Sequence, residues 1–181
     1  MDDLTENKPE NKPDKELDQE ELTSWIVEQV TESYKKTSGW RGRAKEAYDY
    51  YAGAQWSPED IRVLEEQRRP AVVFNRIPRS INAVVGHEIQ NRQEVQYIPR
   101  ETSDNVKAEV LSQTAKWVQD NADAEDEETD AFEDTCTCGM GWIEDSLDYD
   151  SDSEGQILIE RRDPLEMGWD WQAKKRNLSD A

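Results

Sequence analysis

The side chains best placed to do chemistry in this sequence are carboxylates. Asp123, Glu125, Asp126, Glu127, Glu128 and Asp130 crowd into one short stretch. A calcium loop needs oxygens at alternating positions and a glycine where the loop turns sharply. This stretch has no glycine, and its helical setting spreads the carboxylates around an axis, so it reads as a solvated helix face. A second run, Asp148, Asp150, Asp152 and Glu154 before Gly155, alternates in the required way. It lacks the bidentate glutamate that closes such a loop, and it reads as an acidic hairpin turn. Cys136, Cys138 and the single His87 are too few to hold zinc without borrowed carboxylates. His87 follows Gly86 on an apolar helix with no serine or cysteine to activate. There is no glycine-rich phosphate loop. The expectation is therefore no catalytic residue, no metal site and no cofactor. The rival enzyme reading is a metal-dependent nuclease, which would need at least two of these acids converging on one ion. A free-standing acidic interaction protein is a further rival.

The second chemically suggestive set is basic. Arg62, Arg68, Arg69, Arg76, Arg79, Arg92 and Arg100 are interleaved with Phe74 and Tyr97. Such a set can contact phosphates, but arginine is equally favoured at protein interfaces. Arg68, Arg69, Arg76, Arg79 and Arg92 are the candidates for a subunit or DNA contact. Charge weighs against general adhesion to nucleic acid or anionic lipid. The chain carries net −20. Residues 25–100 hold ten acids and twelve bases, whereas residues 101–160 hold nineteen acids and two bases. No apolar run approaches the roughly 18 residues that span a bilayer, and no basic cap precedes an apolar leader. Two thiols separated by one residue suit a reducing compartment.

Positioning these side chains falls to an α+β chain: several amphipathic helices followed by a small antiparallel sheet. Residues 1–17 repeat Glu-Asn-Lys-Pro with few large apolar side chains and read as a disordered acidic tail. Residues 18–181 read as one folded domain. Leu22, Trp25, Ile26, Gln29, Val30 and Ser33 share a helical face that Gly39 should break. A second helix is expected over 40–52, closed by Gly53. Ser57-Pro58-Glu59-Asp60 is a helix start, ending at Arg69-Pro70. Ile77, Ile81, Val84, Val85 and Ile89 mark the next helix. Residues 93–100 alternate like an edge strand, and Ser103-Asp104 should cap a helix through Val106, Val110, Leu111, Trp117 and Val118. An acidic helix over 124–138 has Ala131, Phe132 and Thr135 as its thin apolar stripe. Residues 142–148 and 156–162 form a hairpin, 165–170 a further strand, and 177–181 the opening of another element. Only 34% of residues are hydrophobic, too few for an ample core, yet seven Trp and six Tyr argue against disorder.

Several segments, in order, resemble one family. Tyr50-Tyr51-Ala52-Gly53-Ala54-Gln55-Trp56-Ser57 resembles the YYxGxQW segment of portal proteins from short-tailed, double-stranded DNA phages. Arg69-Pro70, leading through Asn75-Arg76-Ile77, is similar to their RPxxxxNRI segment. Asn82, Val84, Gly86, Glu88, Asn91 and Arg92 match the helix that follows. Gly139, Gly141 and Trp142 resemble the glycine-rich turn into a hairpin, and Ile159-Glu160-Arg161 with Pro164 the strand after it. The similarity covers about residues 40–181. Two departures are His87 and the strong acidity around 122–130.

The resemblance implies the wing region at the N-terminal side of a longer subunit, without stem, clip or barrel. It implies a homo-oligomeric ring of about twelve subunits. That ring would sit at the portal vertex of the virion after synthesis in the host cytoplasm. Implied partners are the large terminase, the major capsid or scaffolding protein and a tail adaptor, with no membrane. DNA would pass through without tight binding, and this piece alone would not close the ring. The thiols generate the first prediction. On a helix Cys136 and Cys138 point roughly 200° apart, which cannot be bridged. Alkylating the unfolded chain without reductant should label both in mass spectrometry, whereas a disulfide-sized mass deficit would contradict this.

Overall fold

Asp18 and Ser57 cap the starts of two helices in the computed structural model of the chain, which describes residues 18–101, 104–150 and 153–175. The 1–17 tail, the Ser103 cap, Asp152 and the element expected at 177–181 lie outside the described residues. Six helices precede a two-stranded hairpin, as the α+β reading anticipated. The chain divides into two compact units, Met1–Gly42 with Gly168–Ala181, and Arg43–Met167. No helix among the described residues is long and apolar enough to cross a membrane.

In the first unit, α1 (Gln19–Lys36) begins with a capping box. The Asp18 carboxylate accepts from the amides of Glu20 and Glu21, and Glu21 reaches back to the Asp18 amide. The helix ends at Thr37, two residues before the expected break. Gly39 lies inside the first turn of α2 (Ser38–Ala52). A glycine in a first turn weakens a helix without stopping it. Ser33 donates to the carbonyl of Trp169 at 2.7 Å. Trp40 meets Trp169 edge to face at 5.0 Å, and the Arg41 guanidinium lies 3.9 Å over the Tyr34 ring. Aromatic edges and a stacked cation thus join the segment around Trp169 to α1 and the start of α2.

In the second unit, α2 closes on Gly53 in the left-handed region at φ 92°. The Gly53 amide bonds to the Tyr50 carbonyl and the Ala54 amide to that of Asp49, the reciprocal pattern of a Schellman end. α3 (Pro58–Glu66) starts on the Ser57 cap with proline in its first turn. It stops sooner than the sequence suggested, because Arg68 adopts φ 53° and the Arg69 amide turns back to the Leu64 carbonyl. This is the same closure with an arginine where glycine is usual. α4 (Ile77–Gln90), α5 (Asn105–Asn121) and α6 (Ala124–Cys138) follow. Strands β1 (Trp142–Asp148) and β2 (Gln156–Arg162) pair antiparallel, with Trp142 opposite Arg162 and Asp148 opposite Gln156.

Two expected strands do not form. Residues 93–100 find no strand neighbour; instead the Tyr97 amide donates to the Ser112 hydroxyl on α5. Over residues 165–170 no strand forms; the chain turns at the start of this stretch, where the Asp163 carboxylate takes the Leu165 amide and the Asp163 carbonyl takes that of Glu166. α6 is the element the others pack on, touching α4, α5 and both strands. Its buried stripe is Ala124, Ala131 and Asp134 with Thr129. Of the stripe expected there, Ala131 is buried, Phe132 is half-buried and Thr135 is exposed. Small residues supply much of the buried apolar material, with Ala44, Val85 and Ala108 joining those of α6.

Gly141 is where the hairpin enters against this helix. A Cβ there would lie 2.0 Å from the Ala131 carbonyl oxygen and 2.6 Å from the Thr135 hydroxyl. Gly141→Ala is expected to destabilise the fold by about 2–3 kcal/mol. Gly86→Ala, with nothing within 4 Å of the added carbon, should be neutral or stabilising by up to about 1 kcal/mol. Urea melts decide it: equal midpoints for Gly141→Ala and the unsubstituted chain would refute the close approach.

Candidate functional site

The segments singled out in the sequence meet in space around Asn75. Its amide nitrogen donates to the carbonyls of Tyr50 at 3.1 Å and Tyr51 at 2.8 Å. Its amide oxygen accepts from Gln55 and from the Ile77 backbone, both at 3.1 Å. One side chain therefore closes the end of α2 and opens α4. Trp56 donates from its indole nitrogen to the Val72 carbonyl, pinning the extended chain between α3 and α4. The Tyr51 hydroxyl donates to Glu133 at 2.6 Å and also meets Asn82. The Tyr50 side chain stays exposed, its hydroxyl donating to Glu46 on its own helix. Gly53 lies 3.6 Å from the Asn75 amide nitrogen, measured from where its Cβ would stand. Asn91 donates to the His87 carbonyl at the end of α4. Gly139 takes φ 90° at the end of α6, and Trp142, half-buried, begins β1.

A second cluster centres on Asp134, which is not among the residues picked out by sequence, although Glu127 and Arg161 beside it are. The Arg161 guanidinium grips this carboxylate through two nitrogens, at 2.5 and 3.0 Å. The Tyr48 hydroxyl donates to it at 2.7 Å. The Arg161 amide donates to Glu127 at 2.6 Å. Helices α2 and α6 and strand β2 are thus tied at one carboxylate whose side chain is 7% exposed. A usable signal is present: Ala124, Glu127, Ala131, Asp134 and Cys138 recur at helical spacing, which marks Asp134 as inward-facing. Burial, then the hydrogen bonds to Asp134 and Cys138, holds the Tyr48 phenol well above its ordinary range. Asp134 keeps the Arg161 guanidinium firmly charged.

The basic candidates separate into two kinds. Arg92 is engaged within its own unit, by Glu88 at 3.5 Å and Glu125 at 2.8 Å, and it also meets Thr129. Arg68, Arg69, Arg76 and Arg79 are exposed. The acids do not converge. Glu125 faces Arg92, Glu127 faces the β2 backbone and Asp126 is 91% exposed. Among the described residues no three His, Cys, Asp or Glu side chains group so as to hold a metal ion. Both thiols are free and half-buried. Burial, then the nearby Glu133 charge, pushes the Cys136 thiol upward, opposite to what a nucleophile needs. The groove of about 760 Å³ between residues 93–99 and α5 is lined by polar and apolar groups alike and crossed by the Lys116–Glu94 pair.

What these arrangements do chemically is hold backbone ends and helix faces in register. Comparison with known proteins agrees with that character. The chain matches the family described as Phage P22-like portal protein over residues 27–181, and no curated protein matches it.

The Tyr48 environment has a pH signature. Its folded-state pKa stands above the unfolded value of about 10, so its contribution is complete below that pH. The contribution falls away as the pH rises further, because the unfolded chain releases the proton first. Stability should therefore drop above about pH 10, and Tyr48→Phe should lessen the alkaline drop while lowering stability at neutral pH. Denaturation midpoints measured across that range would contradict this if both chains declined in parallel.

Proposed function

The chain belongs to the phage P22-like portal protein family, and from that premise we propose that it is a structural subunit of the portal ring at one capsid vertex. The genome enters through this ring during packaging and leaves through it at ejection. The ring holds about twelve copies related by rotation. It docks the large terminase, meets the major capsid or scaffolding protein, and later carries the tail adaptor. Translocation chemistry resides in the terminase ATPase, and this chain contributes geometry without catalysis. Residues 18–181 serve as the wing-like region, preceded by the acidic tail.

The observation that carries this reading is the family match over nearly the whole chain. Side-chain chemistry is consistent with it. Asn75 and Trp56 bond to backbone groups, Gln55 supports Asn75, Gly53 closes α2 and Tyr51 reaches Glu133 on α6, as a load-transmitting part requires. Charge supports it as well. The excess of acids over residues 101–160 repels phosphates over about 8–10 Å at physiological salt. A conduit whose cargo must slide benefits from such a surface.

Gold-labelled antibody against this chain, applied to opened particles of the phage that encodes it, should mark one vertex per capsid in electron micrographs. Label at many vertices, or none on particles that contain the chain, would sink the portal reading.

A further inference from the structure

Resting on that reading, we propose that the arginine-rich turn between α3 and α4 is one half of a head-to-tail contact, and that the acidic outer face of α6 on a second copy of this chain is the other half. Phe74 is 86% exposed and Val72 52% exposed. They sit on a segment that is neither helix nor strand yet is fixed at both ends, by Trp56 on the Val72 carbonyl and by the four Asn75 hydrogen bonds. An apolar projection already held in place loses little freedom on docking. Arg68, Arg69, Arg76 and Arg79 surround it in sequence, and no carboxylate among the described residues pairs with them. Arg68 occupies a left-handed position at φ 53°, where glycine would sit without strain. Aromatic and arginine side chains together have the composition of an interface centre.

The acidic half stands on α6 of the same unit. α4 and α6 run antiparallel: Arg92 meets Glu125, Thr129 meets Glu88, and Asn82 and Glu133 share the Tyr51 hydroxyl. Continuing that register puts Arg79 opposite the C-terminal end of α6. Asp130 and Asp126, exposed and one turn apart, are then roughly 10–16 Å away along the axis. Among the described residues Asp130 has no basic partner and Asp126 meets only the Arg92 guanidinium, at 4.0 Å. A unit that carries a basic patch and a separate acidic one matches each to the other by docking head to tail with a copy of itself, which is the heterologous contact that a closed ring needs.

A charge-reversal cycle tests this by sedimentation equilibrium at low salt, with circular dichroism confirming that each variant is folded. Arg69→Glu with Arg76→Glu should weaken self-association at least tenfold, and so should Asp126→Arg with Asp130→Arg. Mixing the two reversed chains should restore association, because each presents the charge the other lacks. Arg68→Glu with Arg79→Glu replaces the first pair if that pair fails to fold. Absence of self-association in the unsubstituted chain, undiminished association in either variant, or no recovery on mixing would each overturn the proposal. In the last case the arginine turn serves DNA or a different acidic protein. Single-vertex labelling is independent of all these outcomes, so the portal reading can stand while this contact falls.

Discussion

A carboxylate removed from water must be met by donors, and Asp134 imposes that condition on the Arg43–Met167 unit. It is satisfied from two directions, by the forked guanidinium of Arg161 on β2 and by the phenol of Tyr48 on α2. Neither donor is near it in the chain. The hairpin must therefore lie against α6 on the face that α2 also approaches. Removing one partner of such a group typically costs about 3–5 kcal/mol, and the partial exposure of Arg161 places this pair toward the lower end. That is a large share of the stability of any domain. Gly141 belongs to the same constraint: only a residue without a side chain lets the chain pass so near the Ala131 carbonyl and carry β1, and with it β2, into position.

The reliance on polar ties follows from composition. With few large apolar side chains available, the buried apolar positions on α2, α5 and α6 go to alanine, which lets elements approach closely but removes little apolar surface from water. Directional bonds then decide which approach is adopted. Asn75 satisfies carbonyls at the end of α2 and an amide at the start of α4 with one amide group. Arg92 joins α4 to α6 through Glu88 and Glu125. The first unit solves the same shortage with rings, stacking Arg41 between Tyr34 and Trp169.

Local chemistry is legible in the sequence where it is self-contained. The Ser57-Pro58 start, the Gly53 and Gly139 ends, the acidic helix and both hairpin strands depend on neighbours a few residues away, and they form where expected. Alternation at 93–100 misleads, because a period of two makes a strand only when another edge accepts it, and none among the described residues does. The end of α3 comes earlier than its sequence implies because an arginine adopts a conformation ordinarily left to glycine. The Asp134 cluster is hidden for a different reason. Acidity draws attention to 123–130, where carboxylates are abundant, whereas the inward-facing carboxylate is marked by its helical register and not by the density of its neighbours.

The segments that carry the family resemblance contain few groups able to cleave or transfer anything. They are rich in Gly, Asn, Tyr and Trp, and most of these side chains have a geometric role in the structure, as a left-handed turn, a bridged helix end or a pinned strap. A signature of that kind reports the path of the backbone, as expected when function consists in presenting surfaces at fixed angles to identical neighbours. An enzyme tolerates drift far from its few reacting atoms. A ring subunit does not, since an angular error at one contact is repeated at each step around the circle and the last subunit fails to meet the first. Interlocking hydrogen bonds at Asn75 and Asp134 limit such error by fixing direction as well as distance between the elements they join.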